Sequence, residues 1–189
     1  VNLIDPKINS EINNLNPSNG TQAAMGVLMG NIYKRSKGRA FSLRNKSMKL
    51  WKEWLKEIDP SQSNIKLEKP LIKLADTEKE YYSMIEISKN KKDYGVELID
   101  KKTIEFWNSI FKKNLIGGLI SHEDGRLNPI HLMQSLMQSL NKIKVDKIED
   151  NVIKINRNPK SYKNKWTIYL ENNKCIYQDC IVICSAINS

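Results

Sequence analysis

Apolar positions recur along this chain with two different periods. Over residues 43–58, LRNKSMKLWKEWLKEI, the residues Leu43, Leu50, Trp51, Trp54, Leu55 and Ile58 share one helical face, with Lys and Glu opposite. Asp59-Pro60-Ser61 ends that helix. A second helix is expected from Asp76-Thr77 through Ile87, because Thr77 and Glu80 have capping-box spacing. Asp100 can cap a short third one running through Phe106-Trp107. Residues 117–140, GGLISHEDGRLNPIHLMQSLMQSL, combine an apolar strand-like run, a polar turn and a helix start. There Asn128 suits the N-cap and Pro129 the first helical position, where no N–H is needed. Leu132, Leu136 and Leu140, with Met133 and Met137, then repeat at four-residue spacing as one apolar stripe.

Shorter apolar runs predict strands at residues 1–5 (stopped by Pro6), 64–74, 96–99, 143–148 and 152–155. Residues 166–171 and 174–177, joined by Asn172-Asn173, predict a hairpin. Ile181-Val182-Ile183-Cys184 is continuously apolar, as in a parallel strand covered on both faces. Between residues 13 and 30 the chain is turn-rich and then small-residue-rich. Ala23, Ala24, Gly26 and Gly30 leave space for a ligand or another backbone to approach, or for tight packing of a helix start on a sheet.

Composition adds bounds. The 189 residues can bury one good core or parts of two, and 40% hydrophobic with 28% charged residues is ordinary for a folded protein. No apolar run is long enough to span a membrane, and the opening VNLIDPKINSE lacks a secretory signal. The first residue is not Met and strand-forming residues follow at once, so the chain is expected to be part of a longer polypeptide. The net charge of +10 favours anionic partners in general. Its basic residues are mostly Lys, scattered through every segment without a nucleic-acid-binding motif, so a solvated basic surface is the simpler reading and no nucleic-acid partner is expected. Cys175, Cys180 and Cys184 are odd in number and lack C-x-x-C spacing; buried, reduced thiols and a cytoplasmic location are expected.

The string GG-L-x-S-x-x-D-G-x-L-x-P-x-x-L-x-x-S-L within residues 117–140 resembles the middle of the D-amino-acid oxidase/glycine oxidase group of FAD-dependent oxidoreductases. Other segments resemble the group in the same order. Asp5, with Pro6 after it, stands where an acid ending a strand hydrogen-bonds the adenosine ribose. Residues 21–27 are similar to the group's T/S-x-x-A-x-G-M/L stretch, so the resemblance places Gly20, Thr21, Met25, Gly26 and Val27 along the diphosphate and flavin ring. Gln22 and Met25 depart from the Ser or Ala common there. It gives Val152 a backbone contact to adenine. It also sets the segment from Ser185 to Ser189 against the flavin, with Ala186 where the group has Gly.

The resemblance implies an α/β fold: part of a Rossmann-like FAD-binding layer (residues 1–66 and 121–189), interrupted by part of an α+β substrate-binding domain (residues 67–120). The sequence holds no G-x-G-x-x-G, so the group's phosphate loop is not among these residues, nor is its carboxylate-gripping arginine expected here. The implied reaction is oxidation of the C–N bond of an amino acid or other small amine. Hydride passes to the flavin and leaves an imine for water to hydrolyse. FAD carries that chemistry, so no catalytic side chain is demanded of the protein. None is assigned, and no metal site either. His122 and His131 read as exposed, and Glu123 and Asp124 as adjacent turn acids rather than a positioned pair. Phe106 and Trp107 read as packing residues, although they could line a substrate cavity. The competing expectation is a non-catalytic, basic α/β binding module.

Overall fold

The computed structural model describes residues 1–10, 20–21, 23–35, 37–61, 63–111, 114–159 and 162–185. The chain divides into two compact units, residues 12–139 and residues 1–11 with 140–189.

In the larger unit, β3 (Leu71–Ala75) and β4 (Val96–Leu98) flank β5 (Gly117–Ser121), both antiparallel to it. Helix α2 (Glu78–Lys91) covers this sheet. It starts where the capping-box spacing places it: the Thr77 side chain accepts the Glu80 N–H, with Glu78 and Glu80 in the first turn and Lys89 and Lys91 in the last, matching the helix dipole. Met84 and Ile87 reach down onto Ala75, Val96 and Leu119, and Ile32 joins them. Gly117 makes the close approach of α2 possible, and Gly118 gives room to the neighbouring strand β3. A Cβ on Gly117 would lie 2.2 Å from the Tyr81 ring, and one on Gly118 2.9 Å from the Lys73 carbonyl oxygen.

Helix α1 (Arg39–Ile58) has a buried stripe rotated from the expected face. Phe41 and Leu55 are buried and Met48 half-buried, at seven-residue spacing, whereas Leu43 and Trp54 are exposed. Leu55 and Trp51 pack with Ile65, Leu67, Leu127 and Leu132 in a second cluster. The apolar pattern fits a broad face, and the neighbouring segments select one edge of it. The helix ends at Asp59, whose carboxylate accepts the N–H groups of Asn64 (2.8 Å) and Ile65 (3.0 Å) and so folds the chain back. Strand pairing begins later than expected in residues 64–74, at Leu71, after one isolated bridge between Glu68 and Arg126.

Helix α3 (Lys101–Phe111) starts at Asp100, whose carboxylate accepts the Thr103 N–H and hydroxyl. After β5 the chain forms the short β6 (Gly125–Arg126), which pairs with β2 (Val27–Leu28), and then α4 (Pro129–Lys142). Asn128 caps α4 by accepting the Ile130 N–H at 3.0 Å.

In the smaller unit, β1 (Asn2–Ile4) runs parallel to β7 (Asp146–Ile148). A separate antiparallel sheet has the order β10 (Cys175–Gln178), β9 (Trp166–Leu170), β8 (Val152–Arg157). The hairpin joining β9 and β10 turns through Asn173 at φ 66°, a conformation that Asn tolerates.

Two expectations are corrected. Residues 181–185 form no strand, and Val182 and Ile183 are exposed, because a strand exists only where a neighbour takes its N–H and C=O groups, and no such neighbour occurs among the described residues. Cys175, Cys180 and Cys184 are free but exposed rather than buried. Cys175 begins the edge strand β10, and the other two lie in or beside that unpaired run.

Candidate functional site

The small-residue segment of the larger unit is open on one side and anchored by its backbone at its end. Gly20, Thr21 and Met25 are exposed, Met25 to 77% of its surface. A tight turn there has the Ala24 N–H donating to the Thr21 carbonyl at 3.2 Å. Gln22 lies outside the described residues. At the anchored end, Arg126 Nε donates to the Met25 carbonyl at 3.0 Å, and the Leu127 N–H donates to the Gly26 carbonyl at 2.9 Å. Val27 and Leu28 then pair with Arg126 and Gly125. Gly26 has φ 69°, and a Cβ on it would lie 1.9 Å from the Leu127 carbonyl oxygen, so only glycine fits this crossing. Gly125 is as crowded, its Cβ position being 2.3 Å from the Glu68 carbonyl oxygen.

In the smaller unit, Asp5 follows the carboxyl end of β1, where its N–H donates to the Ile148 carbonyl at 3.1 Å. Its carboxylate is exposed and accepts the Lys7 N–H at 2.7 Å through one oxygen. Pro6 is exposed beside it. Val152 opens β8 opposite Leu170, 42% exposed, with a ladder irregularity before Lys154. The expected cofactor residues thus divide between the units: Asp5, Pro6 and Val152 in one, Gly20, Thr21, Met25, Gly26 and Val27 in the other. Residues 186–189, including Ala186, lie outside the described residues.

An exposed carboxylate after a strand of a parallel pair suits the hydroxyls of a ribose. An exposed run of small residues with fixed backbone suits the approach of a diphosphate or a flat ring.

The polar turn of residues 122–126 differs most from its sequence reading. Glu123 is a surface acid, held between Lys52 (2.6 Å) and Lys69 (3.0 Å). Their hydrogen bonds keep its carboxyl below the ordinary value. His122 lies 3.8 Å from Glu97, and His122 and His131 are both exposed. Asp124, one residue from Glu123, is fully buried. Its carboxylate accepts the N–H groups of Gly30, Asn31 and Ile32 at 2.8–3.0 Å.

Sequence reasoning missed this anchor, and it missed Lys91. The Lys91 ammonium is fully buried and donates to the Asn31 (2.8 Å) and Arg35 (3.2 Å) carbonyls. Burial and the nearby Arg44 draw its pKa below the ordinary lysine value, while Asp124 opposes them. A signal for Lys91 existed: it continues the buried stripe of Met84 and Ile87 at helical spacing, a place where a surface lysine does not belong.

Among the described residues, no group of three or more His, Cys, Asp and Glu could hold a metal ion, and no helix is long and apolar enough to cross a membrane. Trp107 is half-buried and Phe106 exposed on α3. The shallow cleft near that helix is lined instead by Leu74, Asp76, Glu80, Phe111 and Leu115.

Solved structures share this fold. Glycine oxidase from Geobacillus kaustophilus superposes with a TM-score of 0.70 at 20% identity, over 89% of this chain and 45% of the oxidase. Iminodiacetate oxidase from Chelativorans sp. gives 0.64 at 14% identity, over 88% of this chain and 46% of that one. The L-alpha-glycerophosphate oxidase from Mycoplasma pneumoniae, solved with FAD bound, gives 0.60 at 13% identity, over 91% and 43%. The chain therefore spans less than half the length of each of these enzymes. No curated protein sequence matches it. The DAO family model, described as FAD dependent oxidoreductase, matches residues 15–189, and the chain belongs to that family of FAD-binding flavoproteins.

Proposed function

We propose that the polypeptide containing this chain oxidises the C–N bond of a small amine or amino acid, with FAD as the acceptor. The observation that carries this reading is the family match across residues 15–189. Support for the amine class comes from the names of similar folds, glycine oxidase and iminodiacetate oxidase, although a glycerophosphate oxidase shares the fold as well. Bound FAD would supply the hydride acceptor; this chain's residues bind and orient. In this reading Asp5, with Pro6 setting the chain direction, holds the adenosine ribose, and the Val152 backbone meets the adenine. Gly20, Thr21, Met25, Gly26 and Val27 lie along the diphosphate and ring. Residues 1–66 and 121–189 serve the cofactor and residues 67–120 the substrate. Exposed, unpaired cysteines suit a reducing compartment such as the cytoplasm.

The full-length protein, purified and titrated with FAD, tests the reading. Uptake of FAD with flavin absorbance, followed by anaerobic bleaching on addition of an amino acid or secondary amine, is the expected result. Oxygen consumption with peroxide release would then mark an oxidase, and its absence a dehydrogenase. Bleaching by glycerophosphate alone would move the substrate out of the amine class. Colourless full-length protein that takes up no FAD would leave a basic, non-catalytic binding module as the better account.

A further inference from the structure

The peptides of residues 30–35 are held from two sides by opposite charges. On one side the Asp124 carboxylate accepts four hydrogen bonds from three successive N–H groups: Gly30 to Oδ1 (2.8 Å), Asn31 to both oxygens (3.0 and 2.9 Å), Ile32 to Oδ2 (2.8 Å). Successive amides converging on an anion form a nest, here filled by the protein's own carboxylate. On the other side the Lys91 ammonium takes the carbonyls of Asn31 and Arg35, with its Nζ 5.1 Å from the Phe41 ring centroid. Asn31 is gripped at both ends, its N–H by the anion and its C=O by the cation. Neither charged side chain is exposed.

Two buried charges are a poor way to stabilise a core, since desolvation offsets much of their attraction and apolar side chains of similar volume often do better. What such a pair provides is a defined backbone path. That path matters here because residues 30–32 follow β2 after a single residue, Met29. At its other end, β2 is fixed by the Gly26–Leu127 crossing, and the exposed Ala23, Ala24 and Met25 lead into that crossing. Gly30 shows how tight the seat is: a Cβ there would lie 2.7 Å from the Met48 side chain and 3.4 Å from Asp124 Oδ1.

We propose that Asp124 and Lys91 are positioning residues for the cofactor site, an anion–cation clamp on residues 30–35 that fixes where residues 23–28 present themselves to FAD. The proposal rests on the reading of those residues as the flavin-side segment. It assigns Asp124, a turn acid by sequence, and Lys91, the last residue of α2, to one device linking the turn after β5, the end of α2 and the segment after β2.

The test uses full-length protein carrying Asp124→Asn or Lys91→Met, each close in size to the residue it replaces. Two quantities are read: hydrogen exchange at the amides of residues 30–32 and of β5, and the FAD dissociation constant by flavin fluorescence. In Asp124→Asn, the amides of residues 30–32 are expected to exchange about tenfold faster or more, as loss of a charged acceptor predicts, while Leu119 in β5 keeps its protection. FAD affinity should fall by about tenfold in the same variant, and Lys91→Met should act in the same direction with a smaller change. Lys91→Arg, which keeps the charge, should recover part of the affinity.

Unchanged exchange at residues 30–32 would overturn the clamp. Faster exchange there with FAD affinity unchanged would confine the pair to local structure and overturn the link to the cofactor. Loss of β5 protection in both Asp124→Asn and Lys91→Met would make the two charges part of general stability and overturn the proposal too. If wild-type protein takes up no FAD, the underlying reading fails, and that failure is distinguished because it appears without any substitution.

Discussion

The two units handle similar apolar content in opposite ways. In residues 12–139 a helix lies across a three-stranded sheet, α1 and α4 enclose a second cluster, and two charged side chains are fully buried. In residues 1–11 and 140–189, one two-stranded and one three-stranded sheet stand separately. All the buried apolar side chains of the described chain belong to the larger unit except Ile168 and Leu170. Ile143, Ile153, Tyr162, Tyr177, Val182 and Ile183 of the smaller unit are exposed. Composition is therefore not what separates a core from a surface. A sheet face becomes core when an element arrives to cover it, as α2 does over β3, β4 and β5; in the smaller unit Ile168 and Leu170 of β9 are buried, while Ile153 of β8 and Tyr177 of β10 are exposed.

The sharpest way to break this comparison is to remove one side chain from each unit. Leu119→Ala deletes a fully buried side chain beneath α2 and is expected to lower stability by about 2–5 kcal/mol in urea unfolding. A loss below about 1 kcal/mol would mean that this cluster is far less tightly packed than its burial indicates.

Next in size, Gly26→Ala would force a side chain onto a left-handed backbone and put its Cβ 1.9 Å from the Leu127 carbonyl oxygen. A loss of about 1–3 kcal/mol is expected. FAD uptake by the full-length protein should weaken as well, and unaltered uptake would detach residues 20–27 from the cofactor.

A smaller effect belongs to Glu123. Lys52 and Lys69 hold its carboxyl below the ordinary value of 4.5, so its contribution is present above that value and fades as pH falls through the lowered folded-state pKa. All three side chains are at least partly exposed, so Glu123→Gln should lower stability at neutral pH by less than about 1 kcal/mol. The gap from wild type should close in acid and in high salt. A gap that survives both treatments would show that the triad is not a screened surface network.

Smallest of all, Ile153→Ala and Val182→Lys in the smaller unit should each shift stability by no more than about 0.5 kcal/mol. If Val182→Lys lowered the unfolding midpoint of the full-length protein markedly, residues 181–185 would have a covering partner there, and the contrast between the units would narrow.

Much of the fold was legible because it is local. Thr77, Asp100 and Asn128 each stand at the start of a helix and accept the N–H groups that a helix leaves unpaired, which needs only a short side chain at the right spacing. The β9–β10 hairpin and its Asn turn follow from alternation and turn chemistry in the same way. The strand at residues 181–184 was not legible, because apolar composition sets a tendency while pairing needs a second strand. The stripe on α1 was mistaken by part of a turn, since which edge of a broad apolar face is covered depends on Leu127 and Ile65, distant in sequence.

For the candidate site, the turn acids show the same division most clearly. Glu123 and Asp124 are adjacent and chemically alike, yet one is solvated between two lysines and the other is sealed under three amides. Local sequence determined that a polar turn precedes α4, that glycine stands at positions 26 and 125, and that helices start at their caps. Tertiary structure alone decided which carboxylate was buried, that Lys91 would reach Asn31 and Arg35, and which side of α1 met the core. Caps and turns are settled by interactions within a few residues, whereas burial of a charge depends on partners that only the folded chain brings within hydrogen-bonding distance.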